Sequence, residues 1–143
     1  MFLLLLQCFS IICYFHILKA LTNAWTEACA STSAVKIVIP KGTYNMRMVD
    51  VKGPCKAPIE LYVDGTIKAP VRPEDVGGEQ WLRIQYVNAL TISGNGVFDG
   101  QGAYAWKQND CSKNFNCKLL GMVSKYYCQN SNKKQHNLHI YQK

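Results

Sequence analysis

The sequence predicts an all-β fold of short strands with one amphipathic helix near its N-terminus, and three observations predict it. From Val35 onward, β-branched and aromatic runs alternate with Gly, Pro and Asp turns. A triplet of Gly, a β-branched residue and a large apolar residue recurs after those runs. A helical apolar stripe precedes them between Leu21 and Cys29.

The chain opens on MFLLLLQCFSIICYFHIL, which carries no charge and has only Gln7, Ser10 and His16 as polar breaks. Residues 1–19 are therefore expected to form an apolar leader, either a signal peptide or an uncleaved anchor. A cleavage site after Ala20 is permissible but poor. The basic start of a signal sequence is missing, so a non-native start stays open as well. As a helix, 18 residues would reach roughly 27 Å, just short of a bilayer core. Next, Leu21, Ala24, Trp25, Ala28 and Cys29 fall at i, i+3, i+4, i+7 and i+8, which predicts a packing helix over 21–30 capped by Thr22 or Asn23.

Four strands follow: Val35–Ile39, Ile59–Val63, Trp81–Val87 and Leu90–Ser93, with turns at Pro40-Lys41-Gly42, Asp64-Gly65, Asn88 and Gly94-Asn95-Gly96. The triplets Gly42-Thr43-Tyr44, Gly65-Thr66-Ile67 and Gly96-Val97-Phe98 stand 23 and 31 residues apart. That interval fits a solenoid whose coils stack and bury a continuous core, with the helix capping the first coil. An antiparallel sandwich fits the same strands.

Composition bounds the function classes. With 48% hydrophobic and 17% charged residues, most of the 143-residue chain should fold. The net charge of +7 does not make a nucleic-acid binder. Residues 20–120 hold eleven Lys/Arg against nine Asp/Glu, and the rest of the surplus lies in Lys19, Lys125, Lys133, Lys134 and Lys143. Such a thin basic tail reads as solvated. The seven cysteines lack paired Cys-x-x-Cys spacing, so disulfides are expected over a metal site. Cys8, Cys13 and Cys128 lie in the leader and tail, leaving Cys29, Cys55, Cys111 and Cys117 in the body.

Three segments narrow the fold: Ala28-Cys29-Ala30-Ser31 with KIVIPKGTY (36–44), VKGPCKAPIELYVDGTIKAP (51–70), and GNGVFDGQGAYAW (94–106) with Asn109-Asp110-Cys111 and Asn116-Cys117-Lys118. In this order they resemble the N-terminal region of plant polygalacturonases, in family 28 of the glycoside hydrolases, over roughly residues 20–120. The resemblance implies a right-handed parallel β-helix, secreted to the cell wall. It also implies a monomer that hydrolyses the α-1,4 links of polygalacturonic acid in pectin with inversion and without a metal or cofactor. No nucleic-acid partner follows from it, nor a membrane partner unless the leader is retained. Within it, Cys29 would pair with Cys55, tying the cap to a coil, and Cys111 with Cys117.

The departures matter as much. The family's catalytic Asn-Thr-Asp, Asp-Asp, Gly-His-Gly and Arg-Ile-Lys strings do not occur in this sequence, so no catalytic residue is assigned. Asp99, in Phe98-Asp99-Gly100, reads as a turn residue. Glu74-Asp75 sits in a Pro-bounded loop. The family's Gly- and Asp-rich first strand is also missing, and residues 121–143 show neither strand alternation nor Gly turns. A divergent basic tail is expected there, as is a truncated, catalytically inactive product. The alternative is a non-catalytic cell-wall protein holding acidic polysaccharide through Lys36, Lys41, Lys52, Lys56 and Lys68.

Overall fold

The computed structural model describes residues 2–5, 17–77, 80–108, 110–116 and 139–141. In chain order the elements are β1 (Phe2–Leu5), α1 (Ile17–Ala30), β2 (Val35–Ile39), β3 (Thr43–Asn45), β4 (Val49–Lys52), β5 (Ile59–Val63) and β6 (Thr66–Lys68). A 3-10 turn at Pro73–Asp75 leads to β7 (Leu82–Gln85), β8 (Leu90–Ser93), β9 (Val97–Asp99), α2 (Ala103–Gln108) and β10 (His139–Tyr141).

The strands form three sheets: β1-β2-β5-β8, β10-β9-β6-β3 and β4-β7. Each coil visits the sheets in the same order, β2-β3-β4 and then β5-β6-β7, before β8 and β9 begin a third. Every strand pair among the described residues is parallel. A sandwich of hairpins needs antiparallel neighbours, so the arrangement is a parallel β-helix of few coils.

The period-2 pattern of each strand becomes a column of stacked side chains. Val35, Ile37 and Ile39 are buried and pair in register with Ile59, Leu61 and Val63. In the second sheet Tyr44, Ile67 and Phe98 form one buried row, and in the third Val49 and Val51 face Leu82 and Ile84. Each such aliphatic side chain contributes about 1.5–3 kcal/mol by leaving water. The three Gly triplets are β3, β6 and β9 with the glycine before each, so the repeat read in the sequence is the register of one sheet. The glycines are there because backbones touch: a Cβ on Gly96 would sit 2.4 Å from the Gly65 carbonyl oxygen.

α1 closes one end of the stack. It starts at Ile17, four residues before the predicted stripe, because Ile17 continues that stripe and is buried with Leu21, Ala24, Trp25 and Ala28. The predicted cap is thereby corrected. Thr22 lies inside the helix, its hydroxyl donating back to the Leu18 carbonyl at 3.0 Å. The bond after Ala20 also lies within the helix. Among the described residues no helix is long and apolar enough to cross a membrane.

The predicted strand Trp81–Val87 shortens to Leu82–Gln85. Trp81 instead turns fully inward, its indole donating to the Met46 carbonyl at 2.7 Å and meeting Phe98 edge-on at 6.1 Å. At the other end Tyr86 takes a left-handed φ of 58°, ending the strand and leaving its ring exposed. Six strands were not among the four expected. Three are the Gly triplets, which form β3, β6 and β9, and β4 is a fourth. The others come from the leader, where Phe2–Leu5 pairs with Val35–Val38, and from the tail, where His139–Tyr141 pairs with Val97–Asp99.

Candidate functional site

Strand alternation decides which side chains reach the surface of the third sheet. With Val49, Val51, Leu82 and Ile84 buried, Asp50, Lys52, Arg83 and Gln85 take the outer positions, in register as Asp50 beside Arg83 and Lys52 beside Gln85. Arg83 donates to Asp50 Oδ2, and Lys52 Nζ stands 3.7 Å from the same oxygen. The hydrogen bond from Arg83 holds the Asp50 carboxyl below its ordinary value, against the opposing effect of burial, with the charges of Arg83 and Lys52 adding to it. Tyr86 follows directly after this face, and its carbonyl lies against Gly53 at the end of β4.

A second polar cluster lies on the first sheet. Lys36 and Glu60 are register partners with a 3.1 Å contact, and the Ser93 hydroxyl donates to Glu60 Oε1 at 2.7 Å. The Lys36 ammonium also sits 4.3 Å from the Tyr62 ring centroid. Glu60 is held below its ordinary value chiefly by the Ser93 hydrogen bond, opposed by burial and assisted by Lys36. Asp50 and Glu60 are thus ionised acceptors. A group that protonates a leaving oxygen needs the opposite environment, one that raises its pKa.

Three further acids were singled out in the sequence: Asp99, Glu74 and Asp75. Asp99 Oδ1 accepts from the Gln101 amide at 2.9 Å, a side chain-to-backbone turn that supports Gln101 at φ 47°. The Asp99 carbonyl accepts from the Ala69 amide, and the Gln101 side-chain amide donates to the Ala69 carbonyl. Glu74 and Asp75 are exposed on the 3-10 turn, where the Asp75 carbonyl accepts from Arg47 Nε at 2.9 Å. Asp99 ends β9 on the second sheet, whereas Glu74 and Asp75 share the turn between β6 and β7.

The lysines separate in the same way. Lys36 is on the first sheet, Lys68 on the second and Lys52 on the third, with Lys41 and Lys56 exposed in turns. Arg83, absent from the sequence-based set, is the cation that joins Lys52. The alternation of Leu82-Arg83-Ile84-Gln85 carried that signal.

Cys29 and Cys55 are bonded, joining the end of α1 to the loop before β5. The Lys56 amide donates to the Cys29 carbonyl beside the bridge at 3.1 Å. Cys111 is disulfide-bonded too. Its expected partner, Cys117, lies outside the described residues, as do Cys8, Cys13 and Cys128.

Comparison with known proteins gives this scaffold a family. The family model for glycosyl hydrolases family 28 matches residues 29–142, reaching past residue 120, where the sequence motifs end. A polygalacturonase of Medicago sativa is 62% identical over 91 residues, covering 63% of this chain and 22% of that protein. An exopolygalacturonase of Oenothera organensis is 48% identical over 110 residues, 76% of this chain and 30% of that protein. An exopolygalacturonase of Platanus acerifolia is 44% identical over 105 residues, 73% of this chain and 28% of that protein. This chain therefore spans less than a third of the length of these relatives. With parallel coils, a capping helix and a family match over most of its length, the chain belongs to glycosyl hydrolases family 28.

Proposed function

We propose that this chain is the N-terminal part of a pectin hydrolase that cleaves the galacturonosyl links of polygalacturonic acid in the plant cell wall. Family membership carries this reading, with support from relatives named as polygalacturonases and exopolygalacturonases. The Cys29–Cys55 bridge supports an oxidising, extracellular setting. Stacked parallel coils suit a polymeric substrate, because their surface extends along the stack axis.

In this reading, residues 1–143 supply scaffold rather than chemistry. Inverting hydrolysis needs one protonated carboxyl for the leaving oxygen and a second, roughly 6.5–9.5 Å away, to activate water. Asp50 and Glu60 are committed to cations, and Asp99 to a turn. Purified residues 1–143 are expected to release no reducing ends from polygalacturonate above a blank. Turnover in a clean preparation overturns the reading and returns attention to Glu74, Asp75 and Asp99.

A second reading, a non-catalytic holder of acidic polysaccharide, has one observation in its favour: Lys52 and Arg83 share an outer face of the third sheet. Asp50 already neutralises part of that charge. Binding of polygalacturonate that disappears in Arg83→Ala and survives deletion of residues 121–143 would favour it. Binding lost only with the tail would point to non-specific polyanion attraction.

A further inference from the structure

A β-helix must protect three strand edges at its first coil, and here each is protected differently. The edge of β3 is only three residues long. At β4, α1 lies alongside, and the Trp25 indole donates to the Lys52 carbonyl at 3.3 Å. β2 is the hazardous one. It is five residues long, alternately buried, rich in β-branched residues and carries a single charge, Lys36. Buried side chains of α1 cover the core beneath β2. The backbone edge of β2 is instead covered by β1, in register from Phe2 beside Val35 to Leu5 beside Val38.

We propose that Phe2–Leu5 is an edge guard: it occupies the pairing edge of β2, and removing it lets a second copy of this chain add there through its own β2. The sequence of β2 fits that occupant. Two copies paired antiparallel about Ile37 would set Val35 opposite Ile39 and Lys36 opposite Val38, which keeps the buried rows aligned and opposes no like charges. Processing that removes the N-terminal segment would then change the association state of the protein.

The test uses the full chain with Leu3→Pro and Leu4→Pro together. Successive amides of a strand point to opposite sides, so one of these two faces β2 and is lost. In the unaltered chain, β2 and β5 peptides should show similar hydrogen-exchange protection. In dilute variant, β2 should exchange at least tenfold faster (order of magnitude, as for an opened edge) while β5 stays protected. At rising concentration the variant should double in mass by light scattering and β2 protection should return. The other end of the stack is identical in both proteins, so the difference reports on β2. Unchanged β2 exchange overturns the guard, and a variant that stays monomeric throughout overturns the pairing. If β5 protection also collapses, Leu3→Cys with Lys36→Cys decides instead. These register partners should cross-link in a non-reducing peptide map, and absence of that peptide sinks the proposal.

Discussion

The Trp25 indole Nε1 donates to the main-chain carbonyl of Lys52 at 3.3 Å, joining the cap helix to the last residue of the first coil. The ring is 3% exposed, so it fills the end of the core as well as bonding across it. Trp25→Ala should destabilise by about 3–5 kcal/mol, whereas Trp25→Phe, which keeps most of the packing, should cost less. Denaturant titration of both variants separates the two contributions. Equal, small losses would show that α1 does not close the stack.

The Cys29–Cys55 bridge encloses 25 intervening residues and fastens the same helix to the second coil. Replacing both cysteines with Ser should lower stability by about 3 kcal/mol in the chain-entropy description. Non-reducing peptide mapping should recover Cys29 with Cys55 and Cys111 with Cys117. A peptide linking Cys29 to Cys111 would break the account of the cap.

Asp50 and Glu60 predict an acid limb in the stability curve. Both folded pKa values lie below the ordinary ones. Their contribution is therefore complete above the unfolded carboxylate range, near pH 4, and is lost as pH falls through the lower folded values. Asp50→Asn and Glu60→Gln should each be less stable than the unaltered chain at neutral pH. Each should also lose less stability between about pH 5 and pH 2. An acid limb that is unchanged in the double variant would mean these pairs are too solvated to matter.

Asp99 distinguishes a turn from a catalytic role. Asp99→Asn retains an oxygen able to accept from the Gln101 amide, so it should change stability little, while Asp99→Ala should cost about 1 kcal/mol. In a longer protein that contains this segment and is active, Asp99→Asn should keep most of the rate. A fall of about 100-fold or more, the scale for a lost general acid or base, would reassign Asp99 to the chemistry.

Much of the scaffold was legible because it is locally encoded. The α1 stripe, three strands with their exact limits and the spacing of the Gly triplets depend on side-chain period and turn chemistry, which neighbouring residues determine. The reading faltered where local signal was weak or misleading. β4 is four residues long with a charge at its second position. Thr22 looked like a cap because Ile17, already turning with the helix, was read as part of the leader.

The polar groupings belong to the tertiary structure. Asp50 and Arg83 are 33 residues apart, as are Glu60 and Ser93, and nothing local announces either pair. They meet because parallel stacking lays one coil on the next in register, turning a separation of about one coil along the chain into adjacency across a sheet. By itself the sequence determined the repeat, the capping helix and the missing catalytic strings. Coil stacking alone decided which charges neutralise one another, and that Phe2–Leu5 would lie along the edge of β2, because outside the Gly triplets the pairing of distant strands left no repeat in the sequence to read.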